Sequence, residues 1–320
     1  MDKVCEELYK IGIVPVIAID DAKDAEPLAR ALIEGGLPAA EITFRTDAAE
    51  EAIRIISEKF PEMIVGAGTV LNKEQADRAK AAGAKFIVSP GFNRGNVEYI
   101  QSIGVSVVPG TATPGEVEQA IELGLDAVKF FPAEQNGGIA KIKAMAAPYG
   151  KMHFMPTGGV NKNNLNDYLS FDKVFCCGGS WMVKKDMIAA GKFDEIKDLV
   201  KDAVDTMLDF SLMHIGINSK DKAEADKAAD LFCALFGFKK DVRSASSFAG
   251  DGIEVMNSMG RGTMGHIAIG TRSVDRAVYH LSGKGIEFDE STFQYDNAGH
   301  LKFAYLKDEI GGFAVHLIKK

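Results

Sequence analysis

Three scarcities narrow the possibilities. Only four cysteines occur in 320 residues. Cys176 and Cys177 are adjacent while Cys5 and Cys233 stand far apart, so no disulfide framework is implied and reduced thiols in a reducing compartment are expected. No histidine is placed near them as a motif partner, which argues against a catalytic thiol. Runs of lysine or arginine, and basic stretches interleaved with aromatics, are also missing from a chain of formal net charge -8, so a nucleic-acid partner is not expected. Finally, the opening MDKVCEELYKIGIVPVI has neither the apolar core and cleavage site of a secretory signal nor an apolar span of membrane length. A cytoplasmic protein with no membrane partner is the expectation.

What is present is material for real cores, since 46% of the residues are hydrophobic. From residue 14 to 180, short apolar segments alternate with amphipathic helical ones. The strand candidates are VPVIAI (14–19), AAEITF (39–44), IVGAGTV (64–70), KFIVSP (85–90), SVVPG (106–110), AVKFFP (127–132), HFMPTGG (153–159) and VFCCGGS (174–180). Eight strands separated by helices such as EPLARALIEGG predict an α/β fold, a (β/α)8 TIM barrel. A doubly wound open sheet uses the same ingredients, because strand order is invisible in sequence. After the amphipathic stretch 193–211 the pattern changes. MHIGIN (213–218) and GHIAIG (265–270) form an internal repeat, each followed by a helix and then by alternating strands. Two domains are therefore expected, residues 1–212 and a smaller α+β domain of paired βαβββ modules at 213–320.

A lysine in the middle of the apolar run DAVKFFPAE demands an explanation, since lysine is rarely fully buried. Lys129 either ends a strand and extends its ammonium to water, or points into the barrel mouth. There desolvation disfavours the charged form and leaves an amine able to form a Schiff base with a carbonyl. Alternation puts Glu41, Thr43 and Arg45 of EITFR on one face, Arg45 nearest the C-terminal mouth. Taken alone Glu41 and Arg45 read as a structural ion pair, but converging with Lys129 they read as a proton shuttle and a grip for a carboxylate. Thr69 and Thr157 offer hydroxyls, or strand caps, at the ends of the third and seventh strands. PTGGV (156–160) and CCGGS (176–180) place glycine pairs after strands seven and eight, where this fold usually cradles phosphate.

The segments GLPAAEITFRT, GAGTV, AGAKFIVSPGFN, PGTATPGEV, VKFFPAE and PTGGVN, in that order across residues 1–205, resemble the 2-keto-3-deoxy-6-phosphogluconate (KDPG)/4-hydroxy-2-oxoglutarate (KHG) aldolase family. The resemblance implies a Schiff-base lyase with Lys129 as the imine-forming lysine and Glu41 as general acid/base. It further implies pyruvate-carboxylate contacts at Arg45 and Thr69, a pocket lined by Thr157, and phosphate held by Gly158, Gly159, Gly179 and Ser180. Keto acids and pyruvate would be its ligands, no cofactor would be needed, and a homotrimer is the common assembly. Another phosphate-binding sugar isomerase on the same barrel is the rival.

In the second half, His214, His266 and His316 sit at strand-like positions with Glu254 in GIEVMN. The histidines 214 and 266 open the two halves, while Glu254 and His316 fall in the final strand of each. MGHIAIGTRSVDRA and GGFAVHLI resemble the glyoxalase-like vicinal-oxygen-chelate (VOC) superfamily, which implies a divalent metal held by these four residues. Imidazole and carboxylate suit Zn, Ni, Fe, Mn or Co. His316 stands where that superfamily often has glutamate, which puts glyoxalase activity in doubt and leaves a non-catalytic sensor or oligomerisation domain as the alternative. His280 and His300 read as helix-surface and loop residues.

Overall fold

The computed structural model describes all 320 residues, which fall into two compact units, Met1–Met207 and Leu208–Lys320. In the first, every expected segment contributes a strand: β1 (Ile13–Ile17), β2 (Ala39–Thr43), β3 (Ile64–Gly68), β4 (Phe86–Val88), β5 (Ser106–Val108), β6 (Gly110–Thr111), β7 (Ala127–Phe130), β8 (His153–Pro156) and β9 (Cys177–Gly179). Nine replace the expected eight because Pro109, with no N–H to donate, interrupts SVVPG. All pairings are parallel, and helices follow most strands. Strands covered on both faces bury nearly every residue, which is why they read as continuous apolar runs rather than alternating ones.

The parallel sheet curls. One part runs in the order β5-β4-β3-β2-β1-β9 and another in the order β6-β7-β8. Across the Pro109 break the ladder continues, for Lys129 N–H donates to the Pro109 carbonyl at 2.9 Å. Isolated parallel bridges, Phe154 to Val174 and Thr157 to Gly178, link the β8 region to the β9 region. Local signals set the helix starts. Thr113 and Glu116 form a capping box around Pro114 in the first turn, and the Asn72 side chain accepts from Gln75 N–H at 2.9 Å.

The second unit is one mixed sheet with helices Lys222–Phe236 and Val274–Ser282. Its strands are β10 (Ser211–Ile217), β11 (Lys240–Val242), β12 (Ser246–Ala249), β13 (Ile253–Met256), β14 (Gly265–Thr271), β15 (Phe288–Tyr295), β16 (Leu301–Leu306) and β17 (Phe313–Lys319). They lie in the order β11-β12-β13-β10-β14-β17-β16-β15. Each half of the repeat thus supplies four neighbouring strands, and the halves meet where β10 and β14 pair antiparallel. The boundary expected after residue 212 would cut β10. Ser211 and Leu212 already pair with Gly270 and Ile269, so the unit begins earlier.

His280 is not a surface residue. It is buried on the inner face of its helix with Val274 and Ala277, at a spacing of three that no single-residue reading reveals. His300 is half-buried, 3.9 Å from the Asp275 carboxylate.

Candidate active site

The lysine in the apolar run is buried, with 5% of its surface exposed, and Glu41 beside it has 1%. Their strands are not neighbours, yet the curl of the sheet brings Lys129 Nζ 3.2 Å from Glu41 Oε1 and 3.5 Å from Oε2. Glu41 is therefore not the ion-pair partner of Arg45, the alternative open in sequence. Arg45 lies beyond the end of β2, exposed, its Nε donating to Thr43 Oγ1 at 3.1 Å. That hydroxyl donates in turn to the Ile17 carbonyl at 2.8 Å, so the arginine is tethered at the strand end with most of its guanidinium free.

The space for the carboxylate is made by a residue without a side chain. A Cβ on Gly68 would stand 2.7 Å from Glu41 Cγ and 2.8 Å from Cδ, and Gly66 similarly leaves room for the Phe86 ring. The Lys129 ammonium also lies 5.3 Å from the Phe131 ring centroid, and the Lys129 carbonyl accepts from Thr111 Oγ1 at 3.1 Å.

Two threonines behave unusually. Thr157 is buried and its Oγ1 has no hydrogen-bond partner. Thr69, just after β3, has φ +56°, a left-handed backbone that a β-branched residue adopts only under constraint. Just after β8, Gly158 and Gly159 have φ of +96° and +84°, a turn closed to residues with a Cβ. The Gly159 carbonyl is pinned by Asn161 Nδ2 at 2.9 Å and Asn164 Nδ2 at 3.1 Å. Gly179 ends β9 under the Trp181 ring, and Ser180 beside it is exposed.

Gly68, Phe131, Trp181, Glu134 and Tyr168 were not singled out from sequence. Glu134 sits within VKFFPAE, packs over Gly159, and accepts a hydrogen bond from the Tyr168 hydroxyl. Burial and the adjacent carboxylate raise the Tyr168 pKa, keeping it a donor. Membership of a motif already quoted was the one available signal for Gly68, Phe131 and Glu134, and Trp181 and Tyr168 had none.

A second convergence lies in the other unit. Glu254 Oε2 is 3.1 Å from His266 Nε2 and 3.3 Å from His214 Nε2, and these two nitrogens are 3.1 Å apart. His316 completes the group, with one ligand atom from each histidine all lying within 4.8 Å of one another. Its Nδ1 is buried without a partner. Burial, then the neighbouring His266 and His214, press the His316 pKa down to about 4. For Glu254 burial acts to raise the pKa, but hydrogen bonds from His214, His266 and Ser246 outweigh it and hold the carboxyl well below its ordinary range.

The register explains the convergence. Gly216 pairs with His266 and Ala268 with His214, which makes 214 equivalent to 266 and 216 to 268 in the two halves. Gly216 also pairs with Glu254, and Ala268 with His316, so Glu254 and His316 occupy equivalent places. One repeated position thus supplies each pair of side chains.

Residues 4–199 match the family model described as "Aldolase: KDPG and KHG aldolase". A 2-dehydro-3-deoxy-phosphogluconate aldolase of Treponema pallidum (strain Nichols) is 48% identical over 62% of this chain and 95% of its own length. The KHG/KDPG aldolase of Escherichia coli (strain K12) is 42% identical over 60% of this chain and 91% of its own. Among solved structures, a KDPG aldolase from Legionella pneumophila, with pyruvate captured as a covalent carbinolamine intermediate, is similar at 36% identity. Its TM-score is 0.60, and the match covers 62% of this chain and 97% of that one.

Proposed function

The chain belongs to the KDPG and KHG aldolase family through residues 4–199, and on that premise we propose a Schiff-base aldolase in which Lys129 is the nucleophile. The enzyme is a lyase. Its proposed substrate is 2-keto-3-deoxy-6-phosphogluconate, cleaved to pyruvate and glyceraldehyde 3-phosphate. The same site would cleave 4-hydroxy-2-oxoglutarate to pyruvate and glyoxylate. The observation that carries this reading is the buried amine 3.2 Å from a buried carboxylate.

A proton passed from the ammonium to Glu41 frees the amine to attack the C2 carbonyl. Glu41 returns that proton to the carbinolamine hydroxyl, which leaves as water and gives a protonated imine, an electron sink for the C3–C4 bond. Glu41, directly or through a water, takes the C4 hydroxyl proton as that bond breaks and the aldehyde leaves. The electron pair moves into the imine to form an enamine, Glu41 returns its proton to the enamine C3, and hydrolysis of the resulting imine releases pyruvate and regenerates the Lys129 amine. Arg45 would hold the substrate carboxylate with Thr69, and the unpartnered Thr157 hydroxyl would contact the bound keto acid. Gly158, Gly159, Gly179 and Ser180 would take the phosphate. The pairing around the curled sheet, counting β5 and β6 as one strand, supports a closed (β/α)8 barrel over an open doubly wound sheet. Cleavage of both keto acids by wild type, Lys129→Ala and Glu41→Gln tests the assignment, since either variant should lose at least ~10³-fold in turnover. Retention of more than a tenth of the activity in Lys129→Ala overturns it.

For the second unit the favoured reading is a VOC-like divalent-metal site formed by His214, Glu254, His266 and His316. Ligand atoms ~2.0–2.1 Å from a zinc-like ion stand roughly 2.9–3.4 Å apart at octahedral to tetrahedral angles. The 3.1, 3.1 and 3.3 Å separations among Glu254, His266 and His214 fall within that range, and the buried His316 Nδ1 has no hydrogen-bond partner. Three imidazoles and one carboxylate suit Zn, Ni, Fe, Mn or Co. Such an ion would polarise a bound carbonyl or enediolate. Around it Ser246 orients Glu254 through a 2.5 Å hydrogen bond, and Phe303 and Tyr305 enclose His316 with ring centroids 4.6 and 5.0 Å away.

A further inference from the structure

We propose that the second unit carries a binding site for a small organic carboxylate, gripped by Arg243 at the mouth of a cavity that reaches the His/Glu cluster. The cavity, of about 490 Å³, is bounded by Met213, His214, Lys239, Arg243, Phe248 and Asp251 among others. That volume suits one small molecule. His214 belongs to both cavity and cluster, so a ligand seated there meets the cluster through that ring.

Three planar groups run from the mouth inward. The Arg243 guanidinium carbon lies 4.0 Å from the Phe248 ring centroid, and Phe248 packs edge-on against His214 with centroids 5.5 Å apart. Stacking on the ring fixes the plane of the guanidinium. Its Nε donates to Asp241 at 3.0 Å, which leaves the two terminal nitrogens, a flat fork matched to a carboxylate, without a protein partner. Lys239 adds an ammonium, whereas the Lys240 ammonium is turned away to Asp226 and Asp230. Asp241 and Asp251 cancel the formal charge of Lys239 and Arg243, so the selection comes from the fork rather than from bulk potential.

The opposite side repeats the device. Phe248 pairs with Glu254 and Tyr305 with His316, which makes the two aromatics equivalent in the repeat. Arg261, from the loop before β14, lies over Tyr305 at 5.0 Å and pairs with Asp289 at 2.9 Å. Only the Arg243 side opens onto the cavity described here, and the assignment is confined to it.

The inference rests on the metal reading for the ligand's second contact but not for its carboxylate. The test uses the full chain carrying Lys129→Ala and Arg45→Ala, so that the first unit contributes neither imine nor arginine. Cobalt stoichiometry is measured first. Oxalate, inorganic phosphate and uncharged oxamide are then titrated, with calorimetry and the visible Co(II) spectrum as readouts. Oxalate should bind and shift the spectrum. Adding Arg243→Gln should weaken oxalate at least tenfold with cobalt content unchanged, Arg243→Lys should recover part of the loss, and oxamide should be indifferent. An oxalate affinity within twofold of the parent in Arg243→Gln overturns the proposal, as does tighter binding of phosphate than of oxalate. If no cobalt is retained, the metal reading fails by itself. Calorimetry on the metal-free chain then decides, since Arg243-dependent oxalate binding upholds the carboxylate site and its absence refutes it.

Discussion

Adding one methyl group at Gly68 should damage catalysis through Glu41. Gly68 has no left-handed backbone, so alanine is conformationally allowed and the whole effect is steric. The new Cβ would lie 2.7 Å from Glu41 Cγ and 2.8 Å from Cδ, whereas carbon atoms rest at ~3.5–4.0 Å. Glu41 must then retreat by roughly 1 Å in a site with almost no free surface, at a cost of about 1–3 kcal/mol. The Lys129–Glu41 contact, now 3.2 Å, would lose its present geometry. A displacement of that size at a proton-transferring group costs ~10²-fold in rate. Pyruvate release from 2-keto-3-deoxy-6-phosphogluconate, coupled to lactate dehydrogenase, measures it. Gly66→Ala is the control, because the atoms nearest its Cβ all belong to the Phe86 ring. It should lower Tm by a similar amount, about 2–12 °C, with kcat/KM per folded molecule within threefold of wild type. If Gly68→Ala also keeps kcat/KM within threefold, or if both variants lose activity equally, the placement of Glu41 is not what the glycine protects.

Thr157→Val should raise Tm, because a buried hydroxyl without a partner costs about 1–3 kcal/mol, while kcat/KM falls about tenfold, the worth of one hydrogen bond to substrate. A variant that is both less stable and fully active contradicts the proposed contact. Chelation should leave keto-acid cleavage unchanged yet strip one equivalent of metal per chain and lower the melting temperature of the second unit. His214→Ala and His316→Ala should purify without metal, and undiminished metal content in both refutes the ligand set. Burial lowers the His153 pKa, an effect only partly opposed by its hydrogen bond to the Asp126 carbonyl. Its stabilising contribution is therefore present above the unfolded value of about 6.5 and lost as pH falls below it. His153→Gln should flatten that acid limb in urea melts, and an identical slope in the two proteins would show that His153 does not cause it.

The strands of the first unit were legible because a sheet covered on both faces writes continuous apolar runs, and Lys129 stood out as the charge interrupting one. Period-two alternation likewise put Glu41 and Thr43 together, and both are buried. Alternation stops where β2 stops, which is why Arg45 turned out exposed and tethered to Thr43. Nothing local could link Glu41 to Lys129 across 88 positions, for their meeting depends on the curl of the sheet. A glycine records no side chain, so the space that Gly68 leaves was silent. In the second unit the repeated His-Ile-x-Ile pattern announced one histidine per half and placed Glu254 and His316 in the final strand of each, and the register adds the residues they pair with, Gly216 and Ala268. His280 was misplaced because a single histidine carries no sign of which helix face it occupies.

The most direct test is chemical. Borohydride added to the enzyme in the presence of pyruvate should fix a single reduced adduct, located by peptide mass to Lys129, and the Lys129→Ala protein should acquire none. Adduct formation at another lysine, or undiminished labelling of the variant, would contradict the assignment of that buried amine as the group that bonds to substrate.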